Sequence, residues 1–169
     1  WHLGDEEDYL PEKRGFDRVL IHGGGGIGQT FPGSCGDAPG NQYHDPALWN
    51  GRDFEKTRGY CTDVFFDRAG DWMAECGTQG KPFFAMVTPN APHDPFVIPG
   101  ESWAAPYRGR GLSTNAVAYY SMIAHLDAAL GRLMARIDGQ PWGRDTLVIF
   151  QTDNGHSVGG VFNAGMRGV

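Results

Sequence analysis

Hydrophobic side chains along this chain fall into two kinds of run. Thr146-Leu147-Val148-Ile149-Phe150 and Pro82-Phe83-Phe84-Ala85-Met86-Val87 are apolar or β-branched without polar alternation. That is the pattern of strands covered on both faces, as in the middle of a parallel sheet. Residues 16–21 predict a shorter strand. Two other stretches carry the helical period instead. Over residues 62–75, Val64, Phe65, Ala69, Trp72 and Met73 sit at core spacing, with Gly77 as a stop. Over residues 115–138 the buried stripe is predicted to be Tyr119, Ile123, Leu126, Leu130, Leu133, Met134 and Ile137, capped by Ser113 or Thr114 and stopped at Gly139.

Strand, helix, strand over residues 82–150 predicts a right-handed crossover between parallel strands, hence an α/β fold with a mostly parallel central sheet. Both strands then finish on one sheet edge, where open α/β sheets bind ligands. The first runs into Asn90-Ala91-Pro92-His93-Asp94-Pro95 and the second into Thr152-Asp153-Asn154-Gly155. An imidazole and a carboxylate–amide pair are therefore expected to share an edge across about sixty residues of sequence. Asn154-Gly155 could also turn a type I′ hairpin. That turn wants alternating arms, whereas the upstream arm is solidly apolar and the downstream arm, His156-Ser157-Val158-Gly159-Gly160, is broken by glycines.

Composition narrows the class. A chain of 169 residues with 40% hydrophobic and 12% aromatic residues can bury one core, and 26 glycines with 11 prolines imply many loops. A net charge of −6 without a basic cluster disfavours nucleic acid and anionic membranes as partners. No apolar run reaches membrane-spanning length. Cys35, Cys61 and Cys76 lack metal-ligand spacing, and the last two fall too far apart along one predicted helix to be bridged.

Gly23, Gly25 and Gly28 formally satisfy G-x-G-x-x-G, but such a fingerprint must open a helix. Here Pro32, Gly33, Gly36, Pro39 and Gly40 follow, so the segment is read as a loop. Residues 23–50 and 101–112 are the expected pocket walls, with Tyr43, Leu48 and Trp49 anchoring the first onto the core.

Among side chains that could do chemistry, Asp153 and Asn154 offer hard oxygen donors suited to Ca²⁺ or Mg²⁺ rather than Zn²⁺ or copper. His93, stiffened between Pro92 and Pro95, could meet an anion or protonate a leaving group. His22, His44, His125 and His156 give weaker signals, His125 reading as a half-exposed helix residue. Asp127, near the apolar face of the long helix, reads as a structural carboxylate bonded to a loop backbone.

Several short motifs taken together carry a resemblance. Trp1-His2-Leu3-Gly4, Arg14-Gly15-Phe16-Asp17, Gly59-Tyr60-Cys61-Thr62-Asp63, Lys81-Pro82-Phe83-Phe84, Asn90-Ala91-Pro92-His93, His125-Leu126-Asp127, Thr152-Asp153-Asn154-Gly155 and Met166-Arg167-Gly168 occur in an order and spacing that resemble the middle of an arylsulfatase. The resemblance implies a partial alkaline-phosphatase-like α/β/α sandwich, with residues 1–169 forming one incomplete catalytic domain. It implies that Asp153 and Asn154 ligate calcium, with magnesium the weaker candidate, and that His93 contacts the sulfate and protonates the leaving oxygen. His2 would stand beside a formylglycine and assist release of sulfate. The implied substrate is a sulfate-ester small molecule or a sulfated glycan, and the implied location is periplasmic or secreted.

The chain also departs from that pattern. The family's formylglycine arises from a Cys or Ser inside C-x-P-x-R or S-x-P-x-R, and neither Cys35-Gly36-Asp37 nor Cys61-Thr62-Asp63 fits. The chain therefore reads as an interior fragment, expected to be inactive alone. A phosphate or phosphonate ester hydrolase of the same superfamily and a non-catalytic remnant of the fold are the alternatives.

Overall fold

The computed structural model describes residues 1–4, 6–23, 26–29, 36–156 and 158–165, so Cys35, Gly25 and the motif at residues 166–168 lie outside the described residues. The chain forms two compact units, Trp1–Pro95 and Phe96–Val169.

In the first unit, β1 (Ala47–Trp49) and β2 (Phe54–Lys56) form an antiparallel hairpin with Leu48 opposite Glu55. The Asn50 side-chain oxygen shapes its turn by accepting from the amides of Arg52 and Asp53, at 3.1 and 3.0 Å. Ile21 exchanges two backbone hydrogen bonds with Trp49, at 2.9 and 2.8 Å, which brings the end of the apolar 16–21 segment to β1. Helix α1 (Cys61–Thr78) carries Asp63 in its first turn, where a carboxylate favours the helix dipole. It buries Cys61, Thr62, Val64, Phe66, Gly70, Met73 and Cys76. Phe65, Ala69 and Trp72, expected in the core, are half-buried, and Trp72 packs edge-on against Phe83 at 5.9 Å. Tyr43, Leu48, Cys61 and Thr62 are the closed centre of the unit.

The second unit is built on α3 (Thr114–Asp138), preceded by the short α2 (Glu101–Ala104). Ser113 caps α3, its hydroxyl accepting from the Ala116 amide at 3.1 Å, and Gly139 follows the last turn. The buried face differs from the predicted stripe. Leu133 and Ile137 are inside, but their companions are Ala116, Val117, Ala118, Ser121, Met122, His125 and Ala129. The small Ala116, Ala118, Ser121 and Ala129 on that face let a neighbour approach the helix axis closely, and the larger Met122 and His125 are enclosed beside them. The larger Tyr119, Leu126, Leu130 and Met134 flank it half-buried, and Ile123 is exposed. His125 is buried rather than half-exposed, edge-on to Trp103 at 5.1 Å. Asp127 is exposed, so water meets the needs that burial would have given to a loop.

The two apolar runs expected to be buried strands are irregular segments without ladder partners among the described residues. Phe84 is 74% exposed, Leu147 84% and Phe150 74%. Apolar, β-branched composition states a preference for a sheet interior, but burial requires neighbouring strands, and the described residues place none against these runs. Among the described residues no helix is long and apolar enough to cross a membrane.

Candidate functional site

His93 stands at the end of a short turn whose geometry its sequence dictates. Pro92 and Pro95 bracket it, and the His93 amide closes the turn by donating to the Asn90 carbonyl at 2.7 Å. The peptide bonds before both prolines are cis. The imidazole is exposed, with Nδ1 2.7 Å from the Asp94 carbonyl oxygen and 3.2 Å from its carboxylate. A proton on Nδ1 donated to that carbonyl leaves Nε2 as the nitrogen presented outward.

Beneath the turn, the buried Tyr43 hydroxyl donates to the His93 carbonyl at 2.7 Å and lies 3.3 Å from that of Asn90. Burial, then the neighbouring Tyr60, pushes its pKa well above the usual phenol value, so it stays a donor. The Asn90 amide is buried beneath the turn, beside the Tyr43 hydroxyl.

Gly26 approaches the imidazole from the glycine-rich segment. A Cβ there would lie 3.0 Å from His93 Nδ1 and 2.9 Å from the Asp94 carbonyl oxygen. Gly26 thus serves close approach to His93.

His22, just past the apolar 16–21 segment, is buried, with Nδ1 3.1 Å from the Gly23 carbonyl oxygen. Burial first, and then the Trp1 amino group with smaller contributions from His93 and His2, lowers its pKa to about 4, against the opposing hydrogen bond to Gly23. His22 thus lies in the neighbourhood of His2 and His93. His2 itself is exposed. Its neighbour Trp1 is held by an indole hydrogen bond to the Tyr9 carbonyl at 2.9 Å and by edge contact with Phe16 at 5.8 Å. His22 and Tyr43 are the residues that sequence reasoning undervalued. The signal for His22 was its place at the end of an apolar run, the same signal that singled out His93.

Asp153 and Asn154 lie in the second unit, both exposed. Asp153 Oδ1 accepts from the Asn154 amide at 2.8 Å, and the Thr152 hydroxyl donates to the Asn154 carbonyl at 2.9 Å. The second carboxylate oxygen and the side-chain amide oxygen suit a hard cation, so the donor chemistry fits calcium. Two donors are only part of the roughly six to eight oxygens calcium takes, and no cluster of three or more His, Cys, Asp or Glu occurs among the described residues. The cysteines described do not fit a formylglycine precursor. Cys61 and Cys76 are buried on α1, and burial, with Asp37 nearby, pushes the Cys61 thiol up to about 12.

A family model described as Sulfatase matches residues 1–168. The chain belongs to the sulfatase family. This sulfatase chain is 25% identical over 154 residues to the uncharacterized sulfatase YdeN of Escherichia coli (strain K12), covering 91% of this chain and 25% of that protein. It is 24% identical to an arylsulfatase of Klebsiella aerogenes, covering 92% of this chain and 43% of that protein. It thus spans less than half the length of either curated relative. Among solved structures it resembles Ps i-CgsB in complex with k-i-k-neocarrahexaose, with a TM-score of 0.66 and 24% identity over 82% of this chain and 32% of that one. A second Ps i-CgsB structure gives a TM-score of 0.67 and 21% identity at the same coverage. The sulfatase chain therefore shares its α/β fold with part of a larger chain.

Proposed function

We propose that residues 1–169 are part of the catalytic domain of a sulfuric ester hydrolase acting on aryl or carbohydrate sulfate esters. The family match over residues 1–168 carries this reading. The k-i-k-neocarrahexaose bound by a structural neighbour supports a sulfated glycan as the substrate class. In the parent protein the apolar runs at 82–87 and 146–150 are interior strands of a mostly parallel sheet in an α/β/α sandwich, completed by chain beyond this sequence. That arrangement accounts for their exposure here.

His93 is the proposed general acid. The Asp94 carbonyl accepts a hydrogen bond from Nδ1–H and orients the ring, so that Nε2 faces outward and, when the ring carries its second proton, can donate to a sulfate oxygen or hand that proton to the departing alcohol. His2 is the second proposed proton carrier, assisting sulfate release. Asp153 and Asn154 are the proposed calcium ligands within this chain. Bound calcium would supply positive charge against the sulfate oxygens, an electrostatic contribution that depends on its being held in place beforehand. The formylglycine nucleophile is proposed to lie on chain outside this sequence.

The test is hydrolysis of 4-nitrophenyl sulfate and 4-nitrophenyl phosphate by the full-length parent. Sulfate turnover that dominates, and that falls by roughly a hundredfold or more in His93→Ala, is the expected result. Preference for the phosphate would move the parent to the phosphoryl-transfer branch, and absence of both activities would favour a non-catalytic remnant.

A further inference from the structure

We infer that Tyr43 is a positioning residue for His93, an assignment that rests on the proposed role of His93 and concerns a residue far from it in sequence. The observation is the hydroxyl placed beneath the turn. It is 2.7 Å from the His93 carbonyl oxygen and 3.3 Å from that of Asn90, so it reaches both ends of the segment that presents the imidazole.

Tyr43 is well placed to hold that segment still. Its ring is completely buried and stacks on Tyr60 at 5.4 Å with an interplanar angle of 23°. Its carbonyl accepts from the Cys61 amide at 2.7 Å, tying it to the start of α1. The hydroxyl is thus carried by the buried centre of the first unit, whereas the His93 side chain it steadies is exposed. A hydrogen bond from a fixed ring restricts the His93 backbone, and a shift of about 1 Å at a reacting group can cost up to about a hundredfold in rate. Gly26 leaves space for the ring on another side, because a Cβ there would meet both Nδ1 and the Asp94 carbonyl oxygen. The imidazole is held from below through its backbone and has room beside it only because residue 26 lacks a side chain.

The experiment uses the full-length parent with Tyr43→Phe, His93→Ala and the double variant, each assayed on an aryl sulfate with a good leaving group and on an alkyl or sugar sulfate with a poor one. A general acid matters most when the leaving oxygen is basic. Tyr43→Phe is expected to lower kcat roughly tenfold on the poor leaving group and less than about threefold on the good one, with KM little changed. In the His93→Ala background the same change is expected to add nothing, because the group being positioned is gone. Equal losses on both substrates, an additive double variant, or a Tyr43→Phe enzyme indistinguishable from wild type would each overturn the inference. A crippled His93→Ala beside an unaltered Tyr43→Phe removes this inference alone, whereas a fully active His93→Ala removes it together with the role of His93. Gly26→Ala supplies an independent check from the other side of the ring. It is expected to show the same leaving-group bias, and an equal loss on both substrates would count against the inference even if Tyr43→Phe fails to fold.

Discussion

The Asp37 carboxylate and the Asn41 side-chain amide are joined by a 2.7 Å hydrogen bond, and each holds a further strand of backbone. The other Asp37 oxygen accepts from the Gly28 amide at 2.7 Å, and the Asn41 side chain pairs with both the carbonyl and the amide of Ala47, at 2.8 and 3.0 Å. Together they link the glycine-rich segment that abuts His93 to the start of β1.

Asp37→Ala is accordingly expected to destabilise the fold by roughly 2–4 kcal/mol, since it leaves two donors around a buried carboxylate site unpaired. Gly28→Ala should also destabilise, because its φ is +81° and a Cβ would stand 2.3 Å from the Asn41 carbonyl oxygen. Urea midpoints measure both, and an unchanged midpoint for either variant contradicts this account of the loop.

Stability should fall on acidification through His22. Its folded pKa of about 4 lies below the ordinary 6.5, so the fold keeps the neutral ring. Above pH 6.5 both states are neutral there and the contribution is complete. Between 6.5 and about 4 the unfolded chain binds a proton that the folded chain refuses, and stability declines by an amount on the order of 3 kcal/mol. His22→Gln is expected to flatten that part of the profile of unfolding free energy against pH, and a profile as steep as that of wild type would refute the assignment.

The apolar segment 147–150 should make residues 1–169 on their own bind a hydrophobic dye and self-associate, since Leu147 and Ile149 are 84% and 76% exposed. Ile149→Lys is expected to reduce both dye fluorescence and concentration-dependent light scattering without lowering the melting temperature. A clear drop in melting temperature would show that this side chain is packed.

Calcium should raise the melting temperature of residues 1–169 only at concentrations far above micromolar, because Asp153 and Asn154 supply part of a coordination shell. Asp153→Ala should abolish what shift there is. A tight stoichiometric complex by calorimetry would show that the ligand set is already complete in this chain.

Helices were the part of the fold most legible from sequence. Ser113 and Gly139 mark the ends of α3, and the period of apolar residues locates α1, because caps and turns are set by neighbours a few residues away. Which face was most enclosed was less legible. Large apolar residues pointed to Ile123, yet the buried face includes Ala116, Ala118 and Ala129, since which face is covered depends on the segments that come to lie against it.

For the candidate site, the residues by themselves determined that an imidazole sits in a proline-stiffened turn and that a carboxylate and an amide adjoin at 153 and 154. These are local facts of bond rotation and donor chemistry. Only the tertiary structure decided that a tyrosine fifty positions away donates to the His93 carbonyl, that His22 is buried near His2 and His93, and that residues 147–150 are exposed despite their composition. Burial and long-range hydrogen bonds belong to pairs of segments, and a pattern along one segment states what it would favour without fixing what comes to lie against it.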